Sequence, residues 1–300
     1  MERNINIDYF RFILCLLVIP IHSQPLFKDA YLAEWFIVNG ISRIAVPCFF
    51  IISGFYIHKK LEDNKKLGKY LLHCLAVYIV WSLIYLPVYY ETTYPRTIVL
   101  FMLTGFYHLW FVPALMVGIV MLAAAKRIAK NDTFILFSSI LLYSVGHIME
   151  QKGLPYRLFC NGVFFGYPIL ALGYYIQQKK WVEKIKDNYL YSLLIISIIL
   201  FFAESYLNYQ ELAYRNTFVS LYLLCPLLLI FVLKAKTPKL RINDLGKVAS
   251  GIYYVHVLVT MKIITLSEYL NIYKLPLIAL VSVLLAIFAV LINKRIKILL

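Results

Sequence analysis

FIVNGISRIAVPCFFIISGFYI, residues 36–57, runs straight into HKKLEDNKK, residues 58–66. The first stretch carries a single charged group, Arg43. As a helix rising 1.5 Å per residue it is long enough to cross the roughly 30 Å hydrocarbon core of a bilayer. The second crowds four lysines into nine residues and stays in water. An apolar block with a basic cluster on one flank is the unit from which the chain is built.

The unit recurs in both directions. Apolar blocks cover approximately residues 8–27, 36–57, 69–90, 108–126, 133–149, 160–177, 189–206, 216–234, 248–266 and 275–293. They predict an all-α, polytopic membrane bundle of about ten transmembrane helices. An eleventh apolar stretch, TIVLFMLTGFY at 97–107, is too short to cross and reads as a re-entrant or interfacial segment. Connections are short, so residues 1–300 read as a single integral-membrane domain with no soluble domain. The first block, FILCLLVIPI followed by HSQPLF, shows no small-residue cleavage site and reads as an uncleaved helix. With 62% hydrophobic and 15% charged residues and a mean hydropathy of +0.77, soluble enzymes, nucleic-acid binders and disordered scaffolds are excluded.

The net charge of +15 belongs to topology rather than to a nucleic acid. Of 30 Lys and Arg, 21 lie at the N-terminus or after even-numbered blocks, seven in the opposite loops, and two, Arg11 and Arg43, inside blocks. That asymmetry places both termini in the cytoplasm of a multi-pass protein of the cytoplasmic (inner) membrane. Five cysteines, Cys15, Cys48, Cys74, Cys160 and Cys225, fall in separate blocks without a CxxC, and read as small core residues rather than metal ligands or disulfides. No internal repeat is visible, which disfavours the commonest secondary-transporter architectures.

Polar groups at membrane depth are costly and therefore candidates for function. Arg11 and His22 are 11 residues apart, close to three full turns, so they share one face of the first helix about 16 Å apart along its axis. Pro20 can bend that helix near the histidine. Snorkelling for Arg11 and a helix-end hydrogen bond for His22 are the structural alternatives. Arg43 is too deep to snorkel easily and needs an anion, either a ligand or a carboxylate such as Glu204 or Glu150. Pro47 and Gly54 are expected to break the regularity of its helix, and Ser53-Gly54 to allow close backbone approach. His108 and Trp110 in HLWFVPAL are either binding residues or an aromatic-belt anchor. His256 lies well inside the ninth block with Tyr253 one turn away, and a satisfied structural histidine is its plain alternative.

Taken together, Ile7-Asp8, the Arg11/His22 pair, RIAVP with FFIISGF at 43–55, HLWFVPAL at 108–115 and SGIYYVH at 250–256 resemble, in order, the acyltransferase-3 family of integral-membrane O-acyltransferases. The resemblance runs from residue 7 to about 260. It implies transfer of an acyl group, usually acetyl, from cytoplasmic acyl-CoA to a glycan or lipid-linked sugar across the bilayer. It makes His22 and Arg11 the catalytic pair, with acetyl-CoA (or another acyl-CoA) as the donor and no metal. Arg43, His108, Trp110, Tyr253 and His256 are then candidates for binding substrate. Some members carry an Arg-x-x-Arg pair in a cytoplasmic loop, where HKKLEDNKKLGK here has only lysines. Others carry a fused extracytoplasmic domain, which is not expected here. The membrane part of vancomycin-resistance serine racemases is similar too, without the racemase partner.

The chemistry is physically reasonable. A guanidinium near the inner face suits the donor's phosphates, and an imidazole at the far end of the same helix can take a proton from an acceptor hydroxyl. Direct transfer and an acyl-histidine both stay open. The rival reading is a transporter or flippase of a lipid-linked sugar or small anion, with the same arginines as clamp and the histidines as proton relay. A non-catalytic scaffold leaves the Arg11/His22 pair unexplained. Twenty-five tyrosines and four tryptophans suit sugar stacking or aromatic belts equally, so the acceptor stays open.

Overall fold

A computed structural model describes residues 4–27, 30–92, 100, 104–128, 131–264 and 273–300, and all regular structure among them is helical. Ten elements follow the expected blocks. They are α1 (Ile5–His22), α2 (Tyr31–Leu61), α3 (Asn64–Thr92), α4 (Tyr107–Ile128), α5 (Asp132–Gln151), α6 (Tyr167–Gln178), α7 (Asp187–Gln210), α8 (Val219–Lys234), α9 (Leu245–Ile264) and α10 (Lys274–Ile296). Most of the stretch 97–107 lies outside the described residues.

Eight of these are long and apolar enough to cross a bilayer. The other two, α6 and α8, fall short at 12 and 16 residues. For α6 the reason is burial. Eight of its residues, Tyr167–Ala171, Gly173, Tyr174 and Ile176, are buried, so protein rather than lipid covers most of its surface. Shielding also tolerates the π turn Gly162–Gly166 that precedes it, since irregular backbone is excluded only where lipid touches it. Asn161 caps that turn, its Oδ1 accepting from the amides of Val163 (2.8 Å) and Phe164 (3.1 Å). By contrast α7 and α10 expose Ile195, Ile199, Leu280, Leu284 and Phe288, the apolar surface that acyl chains cover.

The helices form two compact units. One contains residues up to Val46, Ile198–Tyr214 and Phe231 onwards; the other contains Pro47–Ser197 and Arg215–Ile230.

In the second unit the C-terminal part of α2 runs parallel to α6. A Cβ at Gly54 would sit 1.9 Å from the Leu170 carbonyl oxygen, and one at Gly173 would sit 2.0 Å from that of Ile51. Two backbones in direct contact leave no room for a methyl group. Gly54→Ala or Gly173→Ala should lower stability by about 3 kcal/mol, read as thermal unfolding in detergent. Gly68→Ala, with nothing within 4 Å, should be neutral or slightly stabilising.

Helix α5 is antiparallel to both α6 and α8. Ser139 donates to the Pro168 carbonyl at 2.7 Å and shares a hydrogen bond with the Tyr222 hydroxyl at 2.6 Å, while Tyr143 donates to the Phe218 carbonyl at 2.7 Å. At the end of α5 the buried Glu150 carboxylate accepts from the amides of Asn216 and Thr217, both at 2.8 Å, and from the Thr217 hydroxyl. Glu150, offered by the sequence as a partner for a buried arginine, instead fastens the chain that enters α8. Glu150→Gln removes the charge from that set of acceptors and should cost about 2 kcal/mol of thermal stability.

In the first unit α9 and α10 pack antiparallel through Gly251, where a Cβ would lie 2.9 Å from that of Ala286. Asp244 holds Lys247 (2.8 Å) and Lys294 (3.4 Å) beside the start of α9. Those cations keep its carboxyl below the usual range. Helix α1 is capped by Asn4, whose Oδ1 accepts from the Asn6 amide at 2.9 Å, and carries Asp8 in its positive first turn. The Asn6 side chain donates to the Val232 (3.2 Å) and Ala235 (2.7 Å) carbonyls, tying this end of α1 to the end of α8.

Candidate active site

Helix α1 lies along α9 in the same direction, and the contacts between them form a ladder. At the lowest rung Gly246 lets Asp8 approach, since a Cβ there would stand 2.3 Å from Asp8 Oδ1. On the next rungs Arg11 Nη2 donates to Ser250 Oγ at 3.0 Å and the Cys15 thiol to the Ala249 carbonyl at 2.9 Å. At the top the rings of His22 and His256 stand 5.3 Å apart, tilted by 53°. The face shared by Arg11 and His22 is therefore the face turned to α9. Small residues at 246, 249 and 250 make that approach possible.

The two histidines differ in exposure. His256 is fully buried and its Nδ1–H donates to the Ile252 carbonyl at 2.9 Å. His22 is half-buried. It follows Pro20, which takes an amide out of the helix ladder, and precedes Ser23, whose hydroxyl donates to the Ile19 carbonyl at 2.8 Å. Tyr253 lies one turn before His256, with ring centroids 6.4 Å apart.

Arg43 joins this group from α2. The backbone there is irregular, with α-helix to Trp35, a π turn Phe36–Gly40, a 3-10 turn Ile41–Ile44 and α-helix again from Ala45. The break thus lies upstream of where Pro47 and Gly54 led us to expect it. Pro47 falls in the first turn of the resumed helix, where its missing N–H costs nothing. The 3-10 turn packs on α1, and the charge of Arg43 bears on the His22 ring. Arg43 Nη2 donates to Asn39 Oδ1 at 2.7 Å, and Asn39 is itself buried.

His108 and Trp110 belong to the other unit. His108 is buried, edge-on to Tyr85 at 5.2 Å, which does not suit an anchor in the headgroup region. Trp110 stands edge-on to Tyr156 (6.0 Å) and Phe165 (5.9 Å) and lines a cavity of about 490 Å³. Sequence reasoning missed Ser250, Gly246 and Asn39. Asn39 had a signal, four residues before Arg43 and so on the same helix face, and Ser250 opens the SGIYYVH motif.

Residues 4–292 match the sequence profile of the family described as an acyltransferase domain, nearly the whole chain. The protein belongs to the acyltransferase-3 family. Among curated proteins it is similar to an amino-acid racemase of Enterococcus faecalis, 27% identical over 91% of this chain and 43% of that protein. A second amino-acid racemase of that organism is 29% identical over 64% of this chain and 31% of its own. A serine/alanine racemase of Enterococcus gallinarum is 27% identical over 77% of this chain and 36% of its own. The chain spans less than half the length of these relatives. No solved structure matches it. Within this acyltransferase-3 chain, the two histidines and both intramembrane arginines come from α1, α2 and α9, which carry the first, second and last of the matched motifs.

Proposed function

We propose that the protein is a membrane O-acyltransferase that moves acetyl, or another acyl group, from cytoplasmic acyl-CoA to a hydroxyl of a cell-surface or lipid-linked glycan. The observation that carries this reading is the ladder between α1 and α9, with an arginine one rung above Asp8 near its lower end and a half-buried histidine at its top. Arg11, presented at the N-terminal end of α1, binds donor phosphate through its planar fork. The thioester arm extends along α1 towards His22. Through a ring nitrogen, His22 takes the proton of the acceptor hydroxyl, whose oxygen attacks the thioester carbonyl; CoA leaves as the thiolate and receives that proton. His256 is a positioning residue, its ring fixed by the Ile252 carbonyl and set against that of His22. Transfer of radiolabelled acetyl from acetyl-CoA to a glycan acceptor in proteoliposomes tests the reading, and loss of an O-acyl group from surface glycan of a deletion strain tests it in the cell.

The orientation that this chemistry requires puts both termini in the cytoplasm of the inner membrane. Two exposed lysines check it. Cysteine placed at Lys65 should label only from the cytoplasmic side and at Lys152 only from the outside, in a cysteine-free background. Labelling of both from one side contradicts the topology.

A second reading is favoured by the names of the relatives. Proteins named as racemases that extend well beyond the matched region suit a membrane part that conducts an amino acid, with Arg43 clamping its carboxylate. Uptake of radiolabelled serine by the same proteoliposomes, without acyl transfer, would select it.

A further inference from the structure

The cavity under Trp110 lies wholly within the second unit, and neither histidine touches it. Its volume of about 490 Å³ falls in the range of small-molecule sites. Its walls combine aromatic rings with one guanidinium. Trp110 and Tyr156 meet at 85°, so they form a corner, and Tyr107 adds a third, half-exposed ring. Gly162 and Ala114 keep the floor low, and a Cβ on Gly162 would strike the Ala114 carbonyl oxygen at 2.7 Å.

Arg157 is tied through its backbone and through its guanidinium. Its carbonyl accepts from the Asn161 amide at 3.1 Å, and its Nη1 donates to Thr104 Oγ1 at 2.8 Å. Asn161 is also the residue that caps the π turn, so the backbone of Arg157 is tied to the turn that precedes α6. Arg157 is moreover one of only seven cations on the side of the membrane that topology keeps poor in them. Flat apolar faces for the ring and a preorganised fork for an anion are what an acidic sugar requires. A lipid tail would need the first without the second.

We infer that this cavity binds an anionic pyranose, either a uronate or a sugar phosphate, with the ring against Trp110 and Tyr156 and the acid on Arg157. As a sugar site it stands on this geometry alone, apart from the acyl-transfer reading.

The test uses the whole protein in phosphatidylcholine nanodiscs, with tryptophan fluorescence as the readout. Methyl β-D-glucuronide and glucose 1-phosphate are the anionic probes and methyl β-D-glucoside the neutral one. At least one anionic probe should quench saturably, with roughly tenfold higher affinity than the glucoside. Whichever binds identifies the acid as carboxylate or phosphate. Arg157→Gln should erase the preference, Trp110→Phe should remove the signal, and His22→Ala should bind as wild type does. Should Arg157→Gln fail to fold, the wild-type preference and its weakening by several-fold in Thr104→Val decide the matter. Equal affinity for charged and neutral probes, no binding of either anion, or a preference that survives Arg157→Gln overturns the inference. Loss of sugar binding when phosphatidylglycerol replaces phosphatidylcholine assigns the cavity to a lipid headgroup and overturns it as well. Sugar binding without acyl transfer sinks the acyl-transfer reading and spares the site; acyl transfer without sugar binding does the reverse.

Discussion

His22→Ala is expected to abolish acetyl transfer from acetyl-CoA while the protein accumulates and melts as wild type does. The two histidines of the pair separate chemistry from packing. His22 is half-buried and ends its helix, so shortening it to alanine removes few contacts. His256 is fully buried and its Nδ1–H is committed to the Ile252 carbonyl, so its loss leaves a cavity and an altered backbone contact. A positioned general base contributes about 10²- to 10⁴-fold. The first variant should therefore lose at least that factor in kcat with little change in Tm. His256→Ala should lose less activity and more stability, and His256→Asn, which keeps a donor for Ile252, should recover part of both. Transfer by His22→Ala at the wild-type rate and normal protein level would rule out this histidine as the base. A Tm loss in His22→Ala as large as in His256→Ala would make both structural.

The fold was legible because a bilayer imposes length and polarity on every helix at once. The basic clusters after Ile57 and Ala125 end helices close to where hydropathy alone would end them. What hydropathy could not reveal is the shortness of α6. A helix wrapped in protein need not span the hydrocarbon in regular turns, and Asn161 and Gly162 mark its π turn only once Val117 and Ala114 are seen against them. The site was legible in part. The 11-residue interval between Arg11 and His22 is a property of one helix and can be read from one helix. That the shared face meets Ser250 and His256 is a tertiary fact, fixed by small residues at 246 and 249 that a sequence offers in many other places. The helix of Arg43 was expected to lose its regularity at Pro47 and Gly54, whereas the break lies upstream and Arg43 itself rides on a 3-10 turn. The sequence cue was the Asn39-Gly40 pair, two poor helix formers in mid-span.

That irregular turn sharpens what Arg43 should do. Backbone departs from the α-helix at membrane depth where protein buries it or where it lines a cavity, and π segments cluster at functional sites. Of the two carboxylates first offered to Arg43, Glu150 is committed to Asn216 and Thr217, which leaves Glu204 as the structural alternative. The Asn39 oxygen takes one of the five guanidinium donors and fixes the plane of the fork. The charge so fixed bears on His22, beside which, on the proposed acyl-transfer reading, an oxyanion would develop. If Arg43 serves that charge or another anion of the ligand, Arg43→Gln should cut acyl transfer by about 100-fold, the scale of losing one such donor. Stability should then stay close to wild type, because the glutamine amide can still donate to Asn39. Asn39→Ala should reproduce part of the loss in kcat with less effect on donor KM, since it frees the fork without removing it. If Arg43 instead neutralises Glu204 within the first unit, Arg43→Gln strands a carboxylate at a cost of about 3–5 kcal/mol. In that case Arg43→Gln/Glu204→Gln should melt well above Arg43→Gln alone. A double variant that recovers stability in this way would assign the arginine to the scaffold; one that recovers neither stability nor activity leaves it to the ligand.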